Sequence, residues 1–157
     1  MLLRTLLIFV AIVVCLGACG DEAQPEAGSG EVVINEIVAA GMPDFFELHN
    51  PSGVAVDLTG WHFTEHIEEQ PERGAFADGT TLGPGEFLVV EVDSTGAGFR
   101  LGGQEELAIF DDEGRLVDSV DWDEGDSPLG QSFGRFPDGS GPFKTLSTAT
   151  PGAANQE

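Results

Sequence analysis

His62 and His66 stand four residues apart among Glu65, Glu68 and Glu69. Nitrogen and oxygen donors at that density are the material of a surface zinc site. In a helix the spacing puts both rings on one face; in a strand they share a side but lie farther apart. The same stretch also reads as a solvated acidic loop. A second group is richer in carboxylates. Asp118, Asp121, Asp123, Glu124 and Asp126 crowd one strand end and the loop after it, and calcium takes hard oxygen ligands of this kind. Asp118, Asp121, Asp123 and Asp126 are therefore the calcium candidates. They do not follow an EF-hand loop, because Gly125 falls one position early and no glutamate stands at the twelfth. A further group, Glu36, Asp44 and Glu47, converges only if the first two strands pair with those ends together. Nucleophiles are few. Ser119 and Ser132 sit in no strand-turn-helix elbow, and the carboxylate pairs lack the aromatic cleft that a glycosidase wants. No catalytic residue is expected.

The elements that would hold these groups are short and apolar, punctuated by Gly, Pro, Asp and Asn. Val32 to Val38 is rich in β-branched residues. In Asp44 to Asn50, Phe46 and Leu48 fall on one face, with Phe45, Glu47 and His49 on the other, before Pro51-Ser52-Gly53 breaks the strand. Trp61 and Phe63 alternate after the Thr59-Gly60 turn. Phe87 to Val92 follows Gly83-Pro84-Gly85, as a buried strand entered through a tight turn would. Pro84 presets φ at one turn position and Gly85 accepts the positive φ of the next, which predicts a type II turn. Leu107 to Phe110 and Leu116 to Val120 flank Asp111-Asp112-Glu113-Gly114, a hairpin signal. A last strand is predicted over Ser132 to Phe136, followed by a Pro137-Asp138-Gly139 turn. No segment beyond Cys19 holds a helical period over three turns. About seven short strands separated by turns predict an all-β, immunoglobulin-like antiparallel β-sandwich. Trp61, beside Gly60, is expected to bury its indole at the sandwich centre, contributing about 2–3 kcal/mol by area.

Charge restricts what such a domain can meet. The chain carries 28 acidic against six basic side chains, a net charge of −22. That sign reverses the attraction that underlies nucleic-acid binding, so no nucleic acid is expected as partner. Anionic lipid headgroups would also repel it, while divalent cations and basic partners would be drawn in. The chain's two cysteines are Cys15 and Cys19. Around them, Arg4 precedes a continuous apolar stretch from Leu6 to Leu16, and Gly17-Ala18 places small residues directly before Cys19. The apolar stretch is about half the roughly 20 residues needed to span a bilayer. Cys15 is the poorer candidate for modification, being preceded by Val13 and Val14.

Leu16-Gly17-Ala18-Cys19 resembles the lipobox of a bacterial lipoprotein. The resemblance implies cleavage before Cys19, a thioether-linked diacylglycerol on its sulfur and a further acyl chain on the new amino terminus, enough for stable anchoring. The domain organisation expected is a signal peptide over 1–18 that is removed and a lipidated, flexible acidic linker over 19–31. The folded domain follows over 32–155, with a tail at 156–157. With Cys19 alkylated, no disulfide is available and the fold must stand on its core. Asp21 comes one place later than the aspartate of an inner-membrane retention signal, which favours the outer membrane in an organism that has one.

Three further motifs carry a second resemblance. Asp44-Phe45-Phe46-Glu47-Leu48-His49-Asn50-Pro51 with Leu58-Thr59-Gly60-Trp61 resembles the opening of a lamin-tail domain. Thr81 to Val90 is similar to its central turn and strand. Gly134-Arg135-Phe136-Pro137-Asp138-Gly139 with Thr150-Pro151-Gly152-Ala153-Ala154-Asn155 is similar to its closing motif. The resemblance covers about Glu31 to Asn155 and implies the immunoglobulin-like sandwich, with Gly60, Trp61, Pro84, Gly85, Pro137 and Gly139 as fold determinants. Bacterial domains of this kind occur on secreted or surface-attached proteins, often beside nucleases, phosphoesterases or spore-coat-type kinases. This sequence shows no such catalytic neighbour. The expectation is a non-enzymatic, membrane-anchored envelope protein, held through lipid on Cys19, whose domain binds a protein or glycan partner. Two alternatives stand beside it: a calcium-binding adhesion or accessory module, and a localising subunit for a separately encoded secreted hydrolase.

Overall fold

A computed structural model describes residues 32–41, 43–69, 72–93 and 98–157. The signal peptide, Cys19 and the linker expected over 1–31 lie outside the described residues. Eleven strands are present among those described: β1 (Val33–Val38), β2 (Asp44–His49), β3 (Val56–Asp57), β4 (His62–Thr64), β5 (Gly74–Ala75), β6 (Thr81–Leu82), β7 (Phe87–Val92), β8 (Glu105–Phe110), β9 (Leu116–Trp122), β10 (Ser132–Arg135) and β11 (Phe143–Leu146). They form a five-stranded sheet in the order β11-β10-β1-β2-β7, a four-stranded sheet in the order β5-β4-β8-β9 and a two-stranded β3-β6 ladder. Every pairing is antiparallel.

The core forms where the inward faces of the sheets meet. Ile34, Ile37, Phe46 and Leu48 from the first sheet pack with Phe63, Leu107, Ile109, Val120 and Trp122 from the second. Phe63 is central: its ring meets Phe46 at 5.0 Å and Phe76 at 5.1 Å, edge to face in both pairs. Such contacts add to burial because ring edges and faces carry opposite partial charge. A Cβ on Gly74 would stand 2.3 Å from Phe63 Cε2, so the neighbouring strand can pass only with no side chain there. Trp61 does not take the central place expected of it. It precedes the first residue of β4 and packs from the sheet's end, partly buried, while the fully sheltered indole is Trp122, whose Nε1 donates to Gly102 O at 2.9 Å.

Strand β2 is buried on both faces. Phe46 and Leu48 point into the core, and Phe45, Glu47 and His49 lie under other cover. Its two neighbours hold it in register, with Glu47 opposite Glu36 of β1 and Val89 of β7. The turn into β7 closes by Glu86 N–H donating to Gly83 O at 3.1 Å, with Gly85 at φ +71° where a side chain would be strained. Asn50 ends β2 by donating to Val54 O and Leu82 O and accepting from Ser52. Beyond β10 the chain does not stop at the Pro137-Asp138-Gly139 turn. It returns as β11, paired along Ser132–Arg135, so the strand predicted as the last is followed by another.

Candidate functional site

The register of β1 slips between Ile34 and Glu36, a bulge that lifts Asn35 out of the ladder. A bulge frees main-chain groups that must find other partners when buried. Three of them find side chains here. Ile34 N–H donates to Asp118 Oδ2 at 2.8 Å, Ile34 O accepts from Arg135 Nε at 2.9 Å, and Asn35 O accepts from Asn155 Nδ2 at 3.2 Å. Arg135 also reaches Asp118 with Nη2, at 3.2 Å, so that carboxylate spans the sandwich from β9 to β1 and β10. Burial pushes the Asp118 carboxyl up, against the pull of the Arg135 charge.

The Asn35 side chain organises the other side of the bulge. Its Nδ2 donates to Asp138 Oδ1 at 2.8 Å and to Glu47 Oε1 at 3.4 Å, and its Oδ1 accepts from Gly139 N at 3.0 Å. Glu36 and Glu47, opposite each other on β1 and β2, are both fully buried. Their other partners come from β10 and from the closing segment. Ser132 Oγ donates to Glu36 Oε1 at 2.6 Å, Thr150 N donates to Glu36 at 3.1 Å, and Gly152 N donates to Glu47 Oε2 at 2.6 Å. Asn155 completes the lock, its N–H on Asp138 Oδ1 and its Nδ2 shared between Asn35 O and Arg135 O. Gly134 makes room for it: a Cβ there would lie 2.8 Å from Asn155 Nδ2.

Among the described residues, no ion pair engages either glutamate. Desolvation therefore dominates their titration. Burial raises Glu47 to about 7, helped by the nearby Glu36 and Asp138 charges and opposed by the Gly152 N–H. Glu36 is raised for the same first reason, with Ser132 and Thr150 pulling it back. The chemistry of this cluster is closure: two acids buried between strands, held by donors from the chain's last residues.

The structure gives the calcium candidates Asp118, Asp121, Asp123 and Asp126 different surroundings. Asp118 is buried and taken by Arg135 and Ile34. Asp121 is exposed, Asp123 Oδ1 accepts from Gln104 Nε2, and Asp126 Oδ2 accepts from Asp123 N. In the group of Glu36, Asp44 and Glu47, the first two strands do bring the glutamates together. Asp44 lies at the far end of β2, opposite Val92, and pairs with Arg100 at 3.0 Å. His62 and His66 are likewise separated. His62 stacks on Phe110 within β4 and β8, while His66 lies past the strand's end, 3.9 Å from Glu65, which binds Arg73. Among the described residues, no three His, Cys, Asp or Glu side chains are placed to hold a metal ion.

A different feature faces outward. Strand β7 closes one edge of its sheet and β5 one edge of the other. Between them opens a groove of about 450 Å³, floored by Phe63 and Phe76 and walled by Leu88, Val90, Ala75 and Arg73. The sequence marked β7 as a buried strand. Its residues Phe87 to Val90 are only partly buried.

The strand order, the all-antiparallel pairing and the single core define an immunoglobulin-like β-sandwich. The family model for the Lamin Tail Domain matches residues 25–124, more than half of the sequence, and the chain belongs to that family. No curated protein matches it. The matched span ends in the loop after β9; β10, β11 and the closing segment that binds Glu36 and Glu47 follow it.

Proposed function

We propose that this protein is a non-enzymatic binding module, tethered outside the cytoplasm through lipid on Cys19, whose domain engages a protein or glycan partner. One observation carries the reading. The fully buried Glu36 and Glu47, and the buried Asp118, accept hydrogen bonds from the domain's own donors, so their chemistry is spent on holding the sandwich shut. Membership of the lamin tail domain family supports it, since the immunoglobulin-like sandwich presents edges and loops to partners. The net charge of −22 supports a partner other than nucleic acid. It also leaves the lipid as the means of membrane attachment, because an acidic surface is repelled by anionic headgroups.

The anchor is tested by Cys19→Ser. The variant should fold with the same circular dichroism spectrum as the parent and move from the membrane fraction to the soluble extracytoplasmic fraction. Retention in the membrane fraction would overturn the lipid anchor. Cross-linking on intact cells, followed by recovery from detergent extract, tests the binding role. Recovery of the protein with no cross-linked partner would count against it.

A further inference from the structure

The pairing of β7 exposes main chain on one side only. Asn50 N–H donates to Glu86 O, and antiparallel pairs alternate between bonded and non-bonded positions. The β2–β7 register then turns the main-chain groups of Leu88, Val90 and Val92 toward β2 and those of Phe87, Val89 and Glu91 toward the open edge. Three outward residues offer three N–H donors and three carbonyl acceptors along about 13 Å, the span of a segment of about five extended residues. Natural sheet edges are ordinarily blunted by lysine, proline, bulges or a covering element. The β7 sequence Phe-Leu-Val-Val-Glu-Val has no lysine or proline, and its β2 register runs without a slip.

The groove beside this edge would receive alternate side chains of an added strand. Phe63 and Phe76 form an apolar floor under Leu88 and Val90. Arg73, the one cation among the described residues lining it, is already neutralised by Glu65 and lies over the Phe99 ring. Glu86 and Glu91, both exposed, stand at the two ends of β7. An occupant must therefore be apolar where it enters the groove and basic where it passes the ends. The chain's own charge of −22 disfavours a second copy in that place.

We propose that the edge of β7 left unpaired among the described residues, together with the β5–β7 groove, binds an extended basic and apolar segment of another protein by strand addition. This rests on the reading of the domain as a binding module and names the class of its ligand.

The probe is a short synthetic peptide alternating lysine with valine, blocked at both ends, titrated into the full folded domain by calorimetry and amide NMR. Saturable binding that shifts the amides of Phe87, Val89 and Glu91 and weakens with added salt is expected. The same peptide N-methylated at alternate residues keeps its charge and loses the edge hydrogen bonds, and should bind at least about tenfold more weakly. Val89→Pro removes an outward donor and leaves the β2 ladder intact, with a comparable loss expected. Equal binding of the N-methylated peptide, equal binding of a glutamate-valine peptide, or shifts confined to other strands would each overturn the proposal. So would self-association of the domain that Val89→Pro abolishes, which would make a second copy the occupant. A cell-surface partner that is cross-linked equally well to Val89→Pro would overturn strand addition while leaving the binding-module reading in place.

Discussion

Glu47 shows how a single side chain sets the conditions under which the domain is stable. Its carboxyl titrates at about 7 in the folded state, above its unfolded value of 4.5, because burial beside Glu36 and Asp138 disfavours the charge. The native state therefore binds this proton more tightly than the unfolded chain does. The resulting stabilisation is fully present below about pH 4.5 and is lost as pH rises through about 7. By the shift it amounts to about 3 kcal/mol. Glu47→Gln keeps an acceptor oxygen for the Gly152 N–H and cannot ionise. Urea midpoints at about pH 5 and about pH 8 should differ less in that variant than in the parent, and an unchanged pH profile would exclude Glu47 as the group responsible. The sequence displayed both glutamates inside apolar strands, a placement that marks an acid as buried. Their pairing was not legible, because the register depends on the bulge at Asn35, and one residue of slip changes which side chains share a face. Asp118 was legible as an acid at a strand end, but its partner Arg135 stands on another sheet with no local signal joining them.

Among the elements, the long strands were the readable ones. β1, β2, β7, β8 and β9 carry β-branched or alternating apolar runs bounded by turn residues, and they appear within a residue or two of the expected bounds. β3, β5 and β6 have two residues each, too few for any periodicity. β11 was missed because Phe143-Lys144-Thr145-Leu146 is four residues long, with a lysine inside it, and forms by pairing with β10. The two tryptophans exchanged roles for a related reason: depth depends on where a residue falls along its strand, and Trp122 ends a seven-residue strand facing the core while Trp61 stands before a three-residue one. The contact between β10 and the closing segment is equally specific. Gly134→Ala would push a methyl into Asn155 Nδ2 and Leu146 Cδ1. It should cost about 1–3 kcal/mol in unfolding free energy, as overpacking in a fixed site does. The exposed Gly79→Ala cannot serve as its control, since that glycine has a positive φ; Gly53→Ala, with open space around its Cβ position, can. Equal losses in the two variants would show that the docking of Asn155 is not what Gly134 protects.

For the whole molecule, the dominant quantity is charge. With 28 acidic against six basic side chains, the folded domain compresses like charges that the unfolded chain can spread apart. Salt screens that repulsion over about 10 Å at 0.1 M. The thermal midpoint should therefore rise as sodium chloride is added from low to moderate ionic strength at neutral pH. A midpoint that falls over that range would mean that the ion pairs of Arg73, Arg100, Arg115 and Arg135 outweigh the general repulsion. The same acidity gives the closing segment a further meaning. Asn155 reaches back 120 positions to Asn35, and Thr150 reaches 114 positions to Glu36. A growing polypeptide emerges first strand first, so β1 and β2 are made long before the Thr150, Gly152 and Asn155 donors that hold their seam. That seam closes late, and a variant lacking the Asn155 side chain leaves Asn35 O without the donor it has here.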